Sequence, residues 1–190
     1  MRRMAIALTA ALMLTAGCVS DTDDPAASLE AEEAREYSER HGFPYYENDP
    51  YQEPYHPCIE IPDDALIATG VDPETAFADT SEVPSPGWRI CSWDGTGYAL
   101  SVYTMVRTLD ELYTHPMYHQ FRDVTINGRE GVEFHVIRDP EACTIAFPAA
   151  MGMTFVRTSL VLANRMPPGS TFCALAAQHA ADLDPHLPQL

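Results

Sequence analysis

Apolar positions follow two rhythms along this chain. Between Trp88 and Leu162 they alternate with polar ones, the period of a half-buried strand, whereas near residues 65, 110 and 175 they return every three or four, the period of a helix. Pro62-Asp63-Asp64 opens a short helix through Ala65-Leu66-Ile67-Ala68 that Gly70 closes, with proline at the start, acids in the first turn and glycine after the end. Asp72 to Pro86 reads as loop, with one turn at Glu74-Thr75-Ala76. Trp88–Trp93 is a strand, Asp94-Gly95-Thr96-Gly97 its turn, and Tyr98, Leu100, Val102 and Val106 alternate along the return. Thr108-Leu109-Asp110-Glu111 is a capping box for a helix that Pro116 stops.

Val124-Thr125-Ile126 and Val132–Val136 flank Asn127-Gly128, a strong hairpin signal. Val132, Phe134 and Val136 share one face. Glu133 and His135 share the other, toward water or a covering helix. Cys143, Ile145 and Phe147 mark another strand. Thr154–Leu162 marks a longer one, with Val156, Leu160 and Leu162 on one face. Ser170 or Thr171 caps a last helix striped by Phe172, Leu175, Ala176, His179 and Leu183. Helix, hairpin, helix, antiparallel strands and helix predict an α+β fold: one antiparallel sheet with covering helices.

The segment before this domain changes the picture. Arg2-Arg3 precedes an uncharged apolar run from Met4 to Leu14, too short to span a bilayer but suited to an export signal. The run ends in Leu14-Thr15-Ala16-Gly17-Cys18, small residues followed by a cysteine. That is the pattern on which a bacterial lipoprotein is cut and acylated, although Thr15 stands where leucine is commoner. Three segments follow: 1–17 a lipoprotein signal peptide, 18–56 an acidic, proline- and tyrosine-rich tether starting at a lipidated Cys18, and 57–190 the folded domain. Between Val19 and Pro57 stand eleven acids and two arginines. Such composition cannot bury a core, apart from a marginal helix over Ser28–His41. Phe43-Pro44-Tyr45-Tyr46 and the prolines and tyrosines up to Pro57 suit a stiff spacer.

Charge narrows the partners. The whole chain has 11 basic residues, all arginine, against 28 acids. Loss of Arg2 and Arg3 takes the formal charge from −17 to 9 − 28 = −19. Phosphate backbones and anionic headgroups are repelled by such a surface, so nucleic acid is not expected as a partner.

Once Cys18 is acylated, Cys58, Cys91, Cys143 and Cys173 remain, an even number in an oxidising compartment. Of three possible pairings, Cys58–Cys91 with Cys143–Cys173 closes two loops of about thirty residues, each worth roughly 3.5 kcal/mol by chain entropy. No two of these cysteines have the short spacing of a zinc knuckle, so no metal site is expected. His115 and His119 are four apart, but Pro116 lies between them. His41 and His56 lack a ligand spacing, and His179 falls inside an apolar stripe as a core histidine would. Asp94-Gly95-Thr96-Gly97 superficially matches the Asp-Thr-Gly of aspartic proteases, with an extra glycine and no second copy.

Pro57-Cys58, Gly70-Val71-Asp72-Pro73, Trp88-Arg89-Ile90-Cys91-Ser92-Trp93, Val124–Gly131 and Cys173 followed by Ala176-Ala177 occur in that order. In these motifs the chain resembles the domain-of-unknown-function family 3558 of actinobacterial lipoproteins, over about residues 57–188. The resemblance implies a cell-envelope lipoprotein. It implies no activity and carries over no functional residue, and it leaves the stretch before Cys58 outside the matching pattern.

The expected function is therefore a non-catalytic, membrane-anchored binding or accessory protein of the envelope, without cofactor. Its partners would be the membrane through the lipid, and an envelope lipid, a cell-wall fragment or a protein. The chain holds no Gly-x-Ser-x-Gly elbow, His-Glu-x-x-His motif or phosphate-cradling glycine loop. The alternative is an extracellular hydrolase with dispersed acid–base residues, for which Glu133, His135 and Asp123 are the first candidates.

Overall fold

The computed structural model describes residues 55–78, 87–162 and 165–190. The expected export signal, Cys18, the helix expected over Ser28–His41, and His41 and the first tyrosines of the expected spacer lie outside the described residues.

Helices α1 (Pro57–Glu60) and α2 (Asp63–Thr69) come first. Strands β1 (Asp72–Ala78), β2 (Trp88–Asp94) and β3 (Tyr98–Met105) follow, then α3 (Leu109–Thr114). Next are β4 (Tyr118–Ile126), β5 (Arg129–Val136), β6 (Asp139–Ala149) and β7 (Gly152–Leu160). Helix α4 (Phe172–Leu183) runs into a 3₁₀ turn at Asp184–His186. All strands join one antiparallel sheet in the order β1-β2-β3-β7-β6-β5-β4.

Local chemistry explains the elements. Gly70 ends α2 at φ 96° while its N–H caps the Leu66 and Ile67 carbonyls. Thr171 Oγ1 accepts the Ala174 N–H at 3.1 Å and starts α4. The Glu111 carboxylate accepts the Thr108 N–H at 2.8 Å, one arm of the expected capping box. Asn127 and Gly128 both have positive φ, 52° and 85°, as a tight primed turn between twisted strands requires.

Three readings need correction. Asp72–Ala78 is a strand and not loop. Asp72 Oδ1 accepts the Glu74 N–H within the strand, and Thr75 Oγ1 accepts the Asp94 N–H, which ties this edge strand to β2 without apolar alternation. Tyr118–Ile126 is one long strand, so the sheet takes up His119 directly after α3 ends. Leu160 and Leu162 do not continue the buried face of β7, because the strand ends at Leu160 and both are exposed.

The register produces two cores. Ala78, Cys91, Val102, Val156, Ile145, Glu133 and Arg122 form one row crossing all seven strands on one face. Helices α1, α2 and α4 pack on that face, adding Cys58, Leu66, Leu175, Ala176, Ala180 and Leu183. On the opposite face Met105, Val132, Phe134, Ala146, Met153 and Phe155 meet Leu112 of α3. Burying a side chain such as Phe134 contributes roughly 1.5–3 kcal/mol. Cys58 is bonded to Cys91 and Cys143 to Cys173, with Cα–Cα distances of 5.2 and 5.0 Å. Each bridge fastens a helix, α1 or α4, to a strand of the sheet.

Candidate functional site

Alternation along β5 puts Glu133 and His135 on the face that carries α4. Arg122 is opposite Glu133 on β4, and its guanidinium donates from Nε at 3.1 Å and from Nη2 at 2.6 Å to the two carboxylate oxygens. This fork suits a planar carboxylate. It neutralises a carboxylate whose side chain is only 9% exposed. Arg122 itself reaches outward into solvent, with 67% of its side chain exposed.

The ladder breaks on both sides of His135. The β4–β5 register shifts between His119 and Arg122, where Gln120 has φ 58°, and the β5–β6 register shifts between Phe134 and Val136. Such irregularities re-aim side chains. His135 Nε2 comes within 3.8 Å of Cys173 Sγ in the first turn of α4, and its ring centroid is 6.2 Å from that of His119. One ligating atom from each of Glu133, His135, Cys143 and Cys173 lies within 4.8 Å of all the others. The structure thus gathers a carboxylate, an imidazole and a disulfide, with a guanidinium behind the carboxylate.

Asp123 does not join them. It pairs with Val132, whose side chain belongs to the opposite core, so it projects from the other face of the sheet. Glu133, His135 and Asp123 therefore form no common acid–base set. His115 caps the end of α3 and stacks on Tyr118 at 4.5 Å, apart from any helical face shared with His119.

His179 is a fully buried core residue, as the stripe predicts, and all its polar atoms are engaged. Thr69 Oγ1 donates to Asp182 Oδ2 at 2.8 Å, so it accepts from His179 Nδ1 at 2.7 Å; His179 Nε2 then accepts from the Tyr98 hydroxyl at 2.9 Å. Burial pulls the imidazole down to about 4, against a smaller opposing pull from the Asp182 charge. His56, the residue before α1, is also brought to about 4, by burial and then by the charge of Arg89.

The described surface includes a broad polar recess and a small apolar one. One, about 770 Å³ and open to solvent, is rimmed by Asp63, Asp72, Glu74, Asp94 and Arg165, and the Asp94–Thr96 turn forms part of its wall. The second, about 80 Å³, is apolar and lies between Tyr55, Met105, Met151 and Met153. The Glu133–His135 group belongs to neither.

Sequence reasoning missed Arg122 and the approach of Cys173 to His135. Pairing across strands and contacts 38 residues apart leave no local signal. The zinc-knuckle criterion missed the same convergence, because it tests only short spacing.

Neither the comparison with curated proteins nor that with solved structures returned a match. The model of a family described as "Protein of unknown function (DUF3558)" matches residues 13–186. The match begins well before residue 57, so it takes in Cys18 and the acidic stretch that the motifs had left outside. With nearly its whole length matched, the chain belongs to the DUF3558 family.

Proposed function

We propose that this protein is a lipid-anchored binding or accessory protein on the extracytoplasmic face of an actinobacterial-type cell membrane. The observation that carries the reading is the order Arg2-Arg3, an apolar run, then Leu14–Cys18. Two disulfides fit an oxidising compartment, and the proline-rich, acidic stretch fits a spacer. A diacylglycerol on Cys18 anchors through two chains, which gives firm attachment. In this reading α1, α2 and α4 cover one face of the sheet and leave the partner-facing surfaces to the rims and the α3 side. The hydrolase alternative has less behind it, since Asp123 is remote and the neighbours of Glu133 and His135 are an arginine and a disulfide.

The test is fractionation of the native host expressing the chain or its Cys18→Ala form, with mass spectrometry of the mature N-terminus. The expected result is an acylated Cys18 in the membrane fraction and a soluble variant. An unmodified Cys18, or equal partition of both forms, refutes the anchor. Cross-linking from the solubilised envelope then identifies the partner, recovered with the anchored form and depleted with the variant.

A further inference from the structure

We propose that Glu133, His135, Cys143 and Cys173 form a zinc site that the Cys143–Cys173 disulfide closes and its reduction opens. The proposal is independent of the lipid anchor. Its basis is the convergence of four residues offering three kinds of ligand, with one atom from each within 4.8 Å of the rest. Tetrahedral zinc, with bonds of about 2.0–2.3 Å, sets its ligands roughly 3.5 Å apart. With the bridge still closed the four atoms already lie within 4.8 Å of one another, near that spacing. Soft thiolates with an imidazole and a carboxylate suit zinc over magnesium or calcium.

The surroundings support the assignment. Two thiolates and a carboxylate around a divalent cation leave one negative charge, and the Arg122 guanidinium, 2.6 Å from Glu133 Oε2, offsets it. That contact also orients the carboxylate, as outer partners of metal ligands do. Among the described residues no such ligand cluster gathers at the other bridge: Cys58 and Cys91 are both buried, and Cys58 Sγ lies 4.0 Å from the Ile90 carbonyl. Cys173 is half-buried in the first turn of α4, so an incoming thiol meets it before the fully buried Cys143.

The chemistry balances with a dithiol as reductant. Its two electrons and two protons pass to Cys143 and Cys173, the protein S–S bond breaks, and the dithiol sulfurs join to each other. Zinc then displaces both thiol protons to solvent. Two zinc–sulfur bonds form, with lone pairs from His135 Nε2 and one Glu133 oxygen completing four.

The experiment uses the full chain carrying Cys18→Ala, titrated with cobalt(II) and zinc(II) before and after reduction by a phosphine, which offers no thiolate of its own. Circular dichroism follows the fold throughout. The expected result is about one cobalt per chain, with thiolate-to-cobalt absorption, in the reduced form alone. His135→Ala and Glu133→Gln weaken zinc by at least about tenfold. Cys143→Ser with Cys173→Ser abolishes uptake, whereas Cys58→Ser with Cys91→Ser preserves it. No uptake after reduction, uptake that follows Cys58 and Cys91, unchanged affinity in His135→Ala, or a reduced chain that stays unfolded with zinc present would each overturn the site.

Discussion

Tyr98, His179, Thr69 and Asp182 have a single consistent direction of proton donation. The tyrosine donates to the imidazole, the imidazole to the threonine and the threonine to the carboxylate. This holds His179 neutral, protonated on Nδ1, inside the core that joins α2, β3 and α4. An imidazole near 4 in the fold and 6.5 when unfolded binds its proton more readily in the unfolded chain. Its contribution is therefore complete above pH 6.5 and is lost as pH falls toward 4, by at most about 3 kcal/mol. His56 acts with the same sign. Denaturant titrations between pH 7 and 5 should show falling stability, and His179→Gln should flatten the curve in part, leaving the share of His56. At pH 7, Tyr98→Phe leaves Nε2 without its donor and should cost about 1–3 kcal/mol; an unchanged midpoint would show that the network is dispensable.

At the scale of elements, β5 is the organising strand. Alternation along it puts Glu133 and His135 on one face and Phe134 on the other, between a tight entry turn and two flanking register shifts. Gly128 has φ 85°, and a Cβ placed there would meet nothing within 4 Å. Gly128→Ala therefore tests conformation without crowding and should destabilise by roughly 1–2 kcal/mol. Urea unfolding measures it, and a neutral result would mean that the hairpin tolerates another turn. Phe134 is fully buried on the opposite side of the same strand, with ring contacts to Tyr118 and Phe155 at 4.9 and 5.2 Å. Phe134→Ala should cost about 3–5 kcal/mol, read from the same denaturation curve.

For the whole molecule, the two bridges act as separate staples on one sheet, spanning 33 and 30 residues. Replacing Cys58 and Cys91 together by alanine should remove roughly 3.5 kcal/mol. In a chain of this size that is a fall in Tm of about 10 °C. Differential scanning calorimetry checks this, and a shift below a few degrees would place the benefit of the bridge elsewhere than chain entropy.

The residues alone determined much of this protein. Alternation and turn chemistry specified the β2–β3 and β4–β5 hairpins, and the stripe from Phe172 to Leu183 specified α4, because these signals act within a few residues. The export-like pattern before Cys18 is equally local. Strand β1 was not legible, since an edge strand tied to its neighbour through a Thr75 hydrogen bond needs no apolar alternation. Only the tertiary structure decided that β7 inserts between β3 and β6, that Asp123 and Glu133 part to opposite faces, and that Arg122 and Cys173 close on Glu133 and His135. The physical reason is the same in each case: sheet order and cross-strand register are set by how the whole set of apolar faces is buried, and no short segment encodes that.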